Sequence, residues 1–90
     1  MKDVVYLLGS SVQGRVVEAG EAALLAHYHR ELTRRLPAPA AEAYTAEVML
    51  GHWKYALLDY QRFMAGWGCW GNAAWVARRA REYLAELELL

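Results

Sequence analysis

An all-α protein of about four helices is what the sequence predicts, on three observations. Apolar residues recur at intervals of three and four through most of the chain. Breakers fall in separate clusters between those runs, at Gly9-Ser10-Ser11, Pro37-Ala38-Pro39 and Gly66 to Gly71. All four tryptophans, the only Phe and the only Cys crowd into residues 52–75, so one stretch carries most of the large rings that a small core needs.

Ninety residues make a single domain, 1–90, whose size lets it hide roughly 60–70% of its unfolded surface. The apolar fraction is 57%, above the usual ~45–50%, which excludes a disordered chain. That much apolar material in so short a chain favours a partner, a self-partner or a missing remainder that covers part of it. Ten basic and ten acidic residues cancel, so no global field draws the chain to nucleic acid or anionic lipid. The single cysteine, Cys69, excludes an intramolecular disulfide and reads as a small buried hydrophobe rather than a reactive thiol. The apolar run near Met1 is too short for a signal peptide and no window is long enough to span a bilayer. The expected location is the cytoplasm.

The first element is Val4-Val5-Tyr6-Leu7-Leu8, with Asp3 in front as N-cap and Gly9-Ser10-Ser11 as the stop. A helical turn is preferred to a strand, and a run with no polar face is expected to be buried on all sides. Ser11 then caps a helix over Val12 to Leu36, with Val17, Leu24 or Leu25, Tyr28, Leu32 and Leu36 inward. Gly14 and Gly20 each weaken its first turns by ~1 kcal/mol relative to Ala, so the firm part starts near Glu21. Pro37-Ala38-Pro39 ends it and serves as a stiff joint. The third helix runs from Ala40 to Ala65, with Tyr44, Val48, Tyr55, Leu58 and the stem of Arg62 inward and a kink at Gly51. A ring-studded turn follows from Gly66 to Gly71. The fourth helix, capped by Asn72, runs to Leu90 and turns Trp75, Val76, Ala80, Tyr83, Leu84 and Leu87 inward. Its arginines precede its glutamates, an order that opposes the helix macrodipole, so packing must hold it.

Little of the chain reads as chemistry. His27 and His29 are two apart on a helix, point away from each other and do not share an ion; one is expected in solvent and one packed. His52 has no second ligand in view, and no serine carries a nucleophile signature. Glu18, Glu21, Glu42, Glu47 and Asp59 sit at the spacing of a solvated face, with Asp59 expected to pair with Arg62. The glycines of the turn lack the Lys-Ser/Thr that completes a phosphate loop. Arg78, Arg79 and Arg81 read as a solvated face rather than a phosphate site. Trp67, Trp70 and Trp75 read as core or interface, with stacking of a flat ligand as the alternative.

Two segments in order resemble a region of the aminoglycoside phosphotransferase and ecdysteroid-kinase-like families. They are Asp3-Val-Val-Tyr-Leu-Leu-Gly-Ser-Ser and, after a short gap, Leu24-Leu25-Ala-His-Tyr-His-Arg-Glu-Leu32, followed by the proline joint. These families are ATP- and magnesium-dependent small-molecule kinases with a protein-kinase-like fold. The resemblance implies a fragment of the helical C-lobe subdomain on the acceptor side, with Asp3 as a structural brace beneath a catalytic loop. In the families that loop, the metal ligands and the phosphate-gripping lysine act together. The His-Gly-Asp-x-x-x-x-Asn loop does not occur in these 90 residues, so the resemblance assigns no catalytic residue, metal or cofactor to this chain. Two functions are therefore expected of it: an inactive acceptor-side part of a kinase-like domain, or a small helical interaction or oligomerisation module that uses the Trp-rich turn.

Overall fold

Breakers and caps divide the chain where local chemistry demands it. The structure is a computed structural model and describes residues 1–68 and 70–88. Among these, five helices and no strand are found: α1 (Lys2–Ser10), α2 (Gly14–Arg35), α3 (Ala38–Ala43), α4 (Ala46–Trp67) and α5 (Ala73–Glu86). Four are long; α3 is a six-residue turn of helix. The all-α expectation holds, and Cys69 lies outside the described residues.

Helix α1 starts at Lys2, so Asp3 occupies its first turn instead of capping it, where its charge still suits the positive end of the dipole. Val5 and Leu8 are buried, but Tyr6 and Leu7 are exposed, Leu7 by 55%. The run is thus covered on one side only. Its hidden face approaches α4 and α5 so closely that a β-carbon on Gly9 would lie 2.9 Å from the ring of Tyr60.

Helix α2 begins two residues later than expected, at Gly14, and breaks its helical geometry at Gly20 (φ −131°, ψ 15°). Val17 before the break and Leu25 after it are buried. The firm segment starting near Glu21 is thereby realised as a separate helical stretch.

The expected Ala40–Ala65 helix is two helices. Tyr44 leaves the α region (φ −92°, ψ 73°), and Thr45 restarts the chain as an N-cap whose hydroxyl accepts from the Val48 amide at 3.1 Å. His29 Nε2 donates to the freed Tyr44 carbonyl at 2.7 Å, and the imidazole stacks on the Tyr44 ring. His27 stays exposed, so the histidines divide as predicted. No non-helical residue interrupts α4 at Gly51.

Helix α4 is the central element, and its buried row is Met49, Trp53, Leu57, Tyr60 and Met64. This corrects the predicted inward row: Val48, Tyr55 and Arg62 lie on the outside, Tyr55 59% exposed. The helix is apolar on two faces, and periodicity alone does not choose between them. The choice falls to α5, which lays Trp75, Val76, Ala80 and Tyr83 against the Met49–Met64 row; Leu84 and Leu87, also expected inward, stay half-buried outside the core because they lie in and just past the last turn of α5, which ends at Glu86. Val5, Leu8, Val17 and Leu25 complete the core.

Candidate functional site

The turn between α4 and α5 is built from the inside out. Gly68 and Gly71 take positive φ values of 127° and 59°. Gly71 lies on the C-terminal end of α1, where a β-carbon would meet the Ser10 α-carbon at 2.7 Å. Asn72 then ties the two ends together. Its amide N–H donates to the Gly9 carbonyl, and its side-chain Nδ2 donates to the carbonyls of Leu8 and Val12, each at 2.7 Å. The last carbonyls of α1 would otherwise lack partners, so the turn doubles as the C-cap of another helix.

Two indoles near this turn lie outside the core, Trp67 as the last residue of α4 and Trp70 just before Gly71. Trp67 is 69% exposed and Trp70 46% exposed. Trp67 continues a row of rings along α4 and α1, with Phe63 at 5.7 Å and Tyr6 a further 6.3 Å on. Trp75 does not join them: it is buried, with its ring 6.4 Å from that of Trp53. The three tryptophans predicted as one cluster therefore divide into two surface rings and one core ring. Beside the turn, Met64, Ala65, Gly68, Ala73, Ala74 and Ala77 line an apolar groove of about 300 Å³ between α4 and α5.

A polar cluster lies on the opposite flank of α5. The Tyr83 hydroxyl donates to Glu21 Oε2 at 2.6 Å and accepts from Trp53 Nε1 at 3.0 Å and from Arg79 Nη2 at 2.7 Å. One hydroxyl proton and two lone pairs are all used. Arg79 Nε also donates to Glu21 Oε1 at 2.8 Å, and the guanidinium sits over the Tyr83 ring at 4.5 Å. Burial pushes the Tyr83 phenol up to about 12, and the hydrogen bond to the Glu21 carboxylate adds to the rise. At Arg79 burial works against the charge, but its hydrogen bonds to Glu21 and Glu82 outweigh it and hold the guanidinium above its ordinary range. Every polar group here is satisfied by another, and Trp53 is wholly buried. The cluster is a strut between α2, α4 and α5, with no free group to act on a substrate.

Sequence spacing placed Glu21 among solvated acids, and the structure brings it inside. Arg79 follows it, while Arg78 pairs with Glu18 of α2. Two of the three arginines that oppose the α5 dipole are thus neutralised by α2, while Arg81 is exposed. Asp59 pairs with Arg62 at 2.9 Å as predicted, and hydrogen bonding from that guanidinium holds its carboxyl below the usual range. Asp3, the proposed brace, is exposed. A wide shallow cleft of about 420 Å³ lies between α2 and α3, lined by His29, Arg30, Thr33, Arg34, Tyr44 and Thr45 among others. Among the described residues, no three His, Cys, Asp or Glu side chains come close enough to hold a metal ion. No helix among them is long and apolar enough to cross a membrane.

Fold and surface together define a small chain, all-helical among the described residues, with exposed rings on either side of the α4–α5 turn. No family model, curated protein or solved structure matches the chain.

Proposed function

We propose that this chain is a small helical interaction module whose Trp67–Trp70 turn docks into an apolar site on a partner protein. One observation carries the reading: two indoles stand in solvent, Trp67 on the last turn of α4 and Trp70 beside the Gly71–Asn72 contacts with α1. Exposed tryptophan on a fixed frame is what binding hot spots use, because large apolar area is buried at small conformational cost. The groove beside the turn extends that apolar surface.

The test compares the wild type with the double variant Trp67→Ser/Trp70→Ser. Both rings are exposed, so the variant is expected to melt within a few degrees of the wild type. Partners retained from a cell extract by the wild type are expected to be lost from the variant. Adding the purified partner should also shift indole emission to the blue in the wild type alone. Equal retention by both proteins would refute the reading.

A second reading is supported by α1, whose Tyr6 and Leu7 remain uncovered. The kinase-like resemblance puts this helix beneath a catalytic loop, and the chain would then be the acceptor-side remainder of such a domain. Immunodetection of the native product through its Arg78–Leu90 region tests this. A species several times heavier than 10.2 kDa supports the kinase-like parent, and a band near 10.2 kDa removes it.

A further inference from the structure

The outward face of α4 is independent of the ring turn. Helical spacing puts Val48, Gly51, Tyr55, Leu58 and Arg62 on one strip, opposite the buried Met49–Met64 row. Val48 is 40% and Tyr55 59% exposed. Gly51 in this strip is unexplained by the single chain. A β-carbon there would meet nothing within 4 Å, and glycine in a helix interior costs about 1 kcal/mol relative to alanine. The same is true of Gly20 and Gly66, so what sets Gly51 apart is its place in the exposed strip, where it leaves a gap beside Val48 and Tyr55.

We propose that this strip is the seam of a two-fold homodimer in which the α4 helices of two copies pack antiparallel. The symmetric register with its axis between Lys54 and Tyr55 is self-complementary in shape and charge. Gly51 of each copy faces the exposed part of Leu58 of the other, whose remainder packs on its own core. Glu47 of each copy faces Arg62 of the other, so two intermolecular ion pairs flank the apolar centre, and the Tyr55 rings meet at the axis. Glu47 makes no ion pair among the described residues and is exposed. Arg62 gives only Nε and Nη2 to Asp59, leaving Nη1 free on a side chain 78% exposed.

Size and charge agree with a second copy as the occupant. The net charge is zero, so no net repulsion opposes pairing. At 22 residues α4 is about 33 Å long, enough for several turns of contact at the shallow crossing angle of antiparallel helices. The chain exposes 5925 Å², while its 10.2 kDa mass calls for roughly 5,300 Å² in a compact monomer. That excess of about 600 Å² is shared by α1, the ring turn and α4, and the Val48–Tyr55 strip is one part of it.

Sedimentation equilibrium of the full chain from about 1 μM to about 1 mM tests the seam. The mass is expected to rise from 10.2 kDa towards twice that value. Glu47→Arg and Arg62→Glu should each weaken association about tenfold, and their combination should restore it, because opposite charges face each other again. Tyr55→Glu should stay monomeric throughout. Melting at low concentration controls for folding of each variant, and Gly51→Leu, which has room in the single chain, adds a steric block at the seam. A wild type that stays monomeric, or a dimer indifferent to Tyr55→Glu and the charge swap, overturns the proposal. The Trp67→Ser/Trp70→Ser variant should dimerise like the wild type. If it alone loses the dimer, copies pair through the ring turn and the α4 seam is wrong.

Discussion

At the scale of single residues, Tyr83 joins three helices through one hydroxyl. Its phenol sits at about 12 in the fold against about 10 in an unfolded chain. Above pH 10 the unfolded state loses this proton first and binds fewer protons than the native state, so stability falls as pH rises. The contribution is complete below pH 10 and is lost by about pH 12, roughly 3 kcal/mol in all. Thermal melts from neutral to alkaline pH should show that decline, and Tyr83→Phe should flatten it. The same variant should cost about 1–3 kcal/mol at neutral pH, because Trp53 Nε1 keeps only the longer bond to Glu21 at 3.3 Å. Glu21→Gln should cost about 2 kcal/mol, measured by denaturant titration. Arg79 would then keep its charge beside a neutral amide, with its partial exposure limiting the penalty.

At the scale of elements, the joints matter more than the helices. Gly71 has a positive φ and no room for a β-carbon against the Ser10 backbone. Gly71→Ala should therefore destabilise by about 3 kcal/mol and lower Tm, because the backbone must shift as well as strain. Thr45→Ala removes the one side-chain cap of α4 and should cost about 1 kcal/mol in the same melts. Helix α5 shows how an unfavourable local order is rescued. Its early arginines face the acids Glu18 and Glu21 of α2, and Lys54 of α4 meets its late Glu86 at 2.7 Å. The macrodipole conflict visible in the sequence is thus answered by neighbouring helices.

At the scale of the whole molecule, the tryptophans report on two environments. Trp53 and Trp75 are buried, while Trp67 and Trp70 are in solvent. Acrylamide should quench the native emission in two classes, and Trp67→Phe/Trp70→Phe should remove the accessible one. A single uniformly quenched population would contradict this arrangement. The molecule extends 41 × 29 × 22 Å, elongated for its length, which leaves apolar surface on α1, on the turn and on α4.

The sequence by itself determined the all-α class, most of the breakers and the Trp75–Tyr83 part of the inward row of α5, because these depend on neighbours within a few residues. It also determined the Asp59–Arg62 pair and the contrast between His27 and His29, which are matters of helical spacing. Three things were decided only in the tertiary structure. Which face of α4 is inside depended on α5 and on a polar partner for the Trp53 N–H, since both faces carry apolar residues. Whether Glu21 was solvated or central depended on where α5 brought Arg79 and Tyr83, some 60 residues away. The separation of Trp75 from Trp67 and Trp70 depended on which face of α5 met Trp53 of α4. In each case the deciding partner is remote in sequence, and no local period encodes which remote surface a helix will meet.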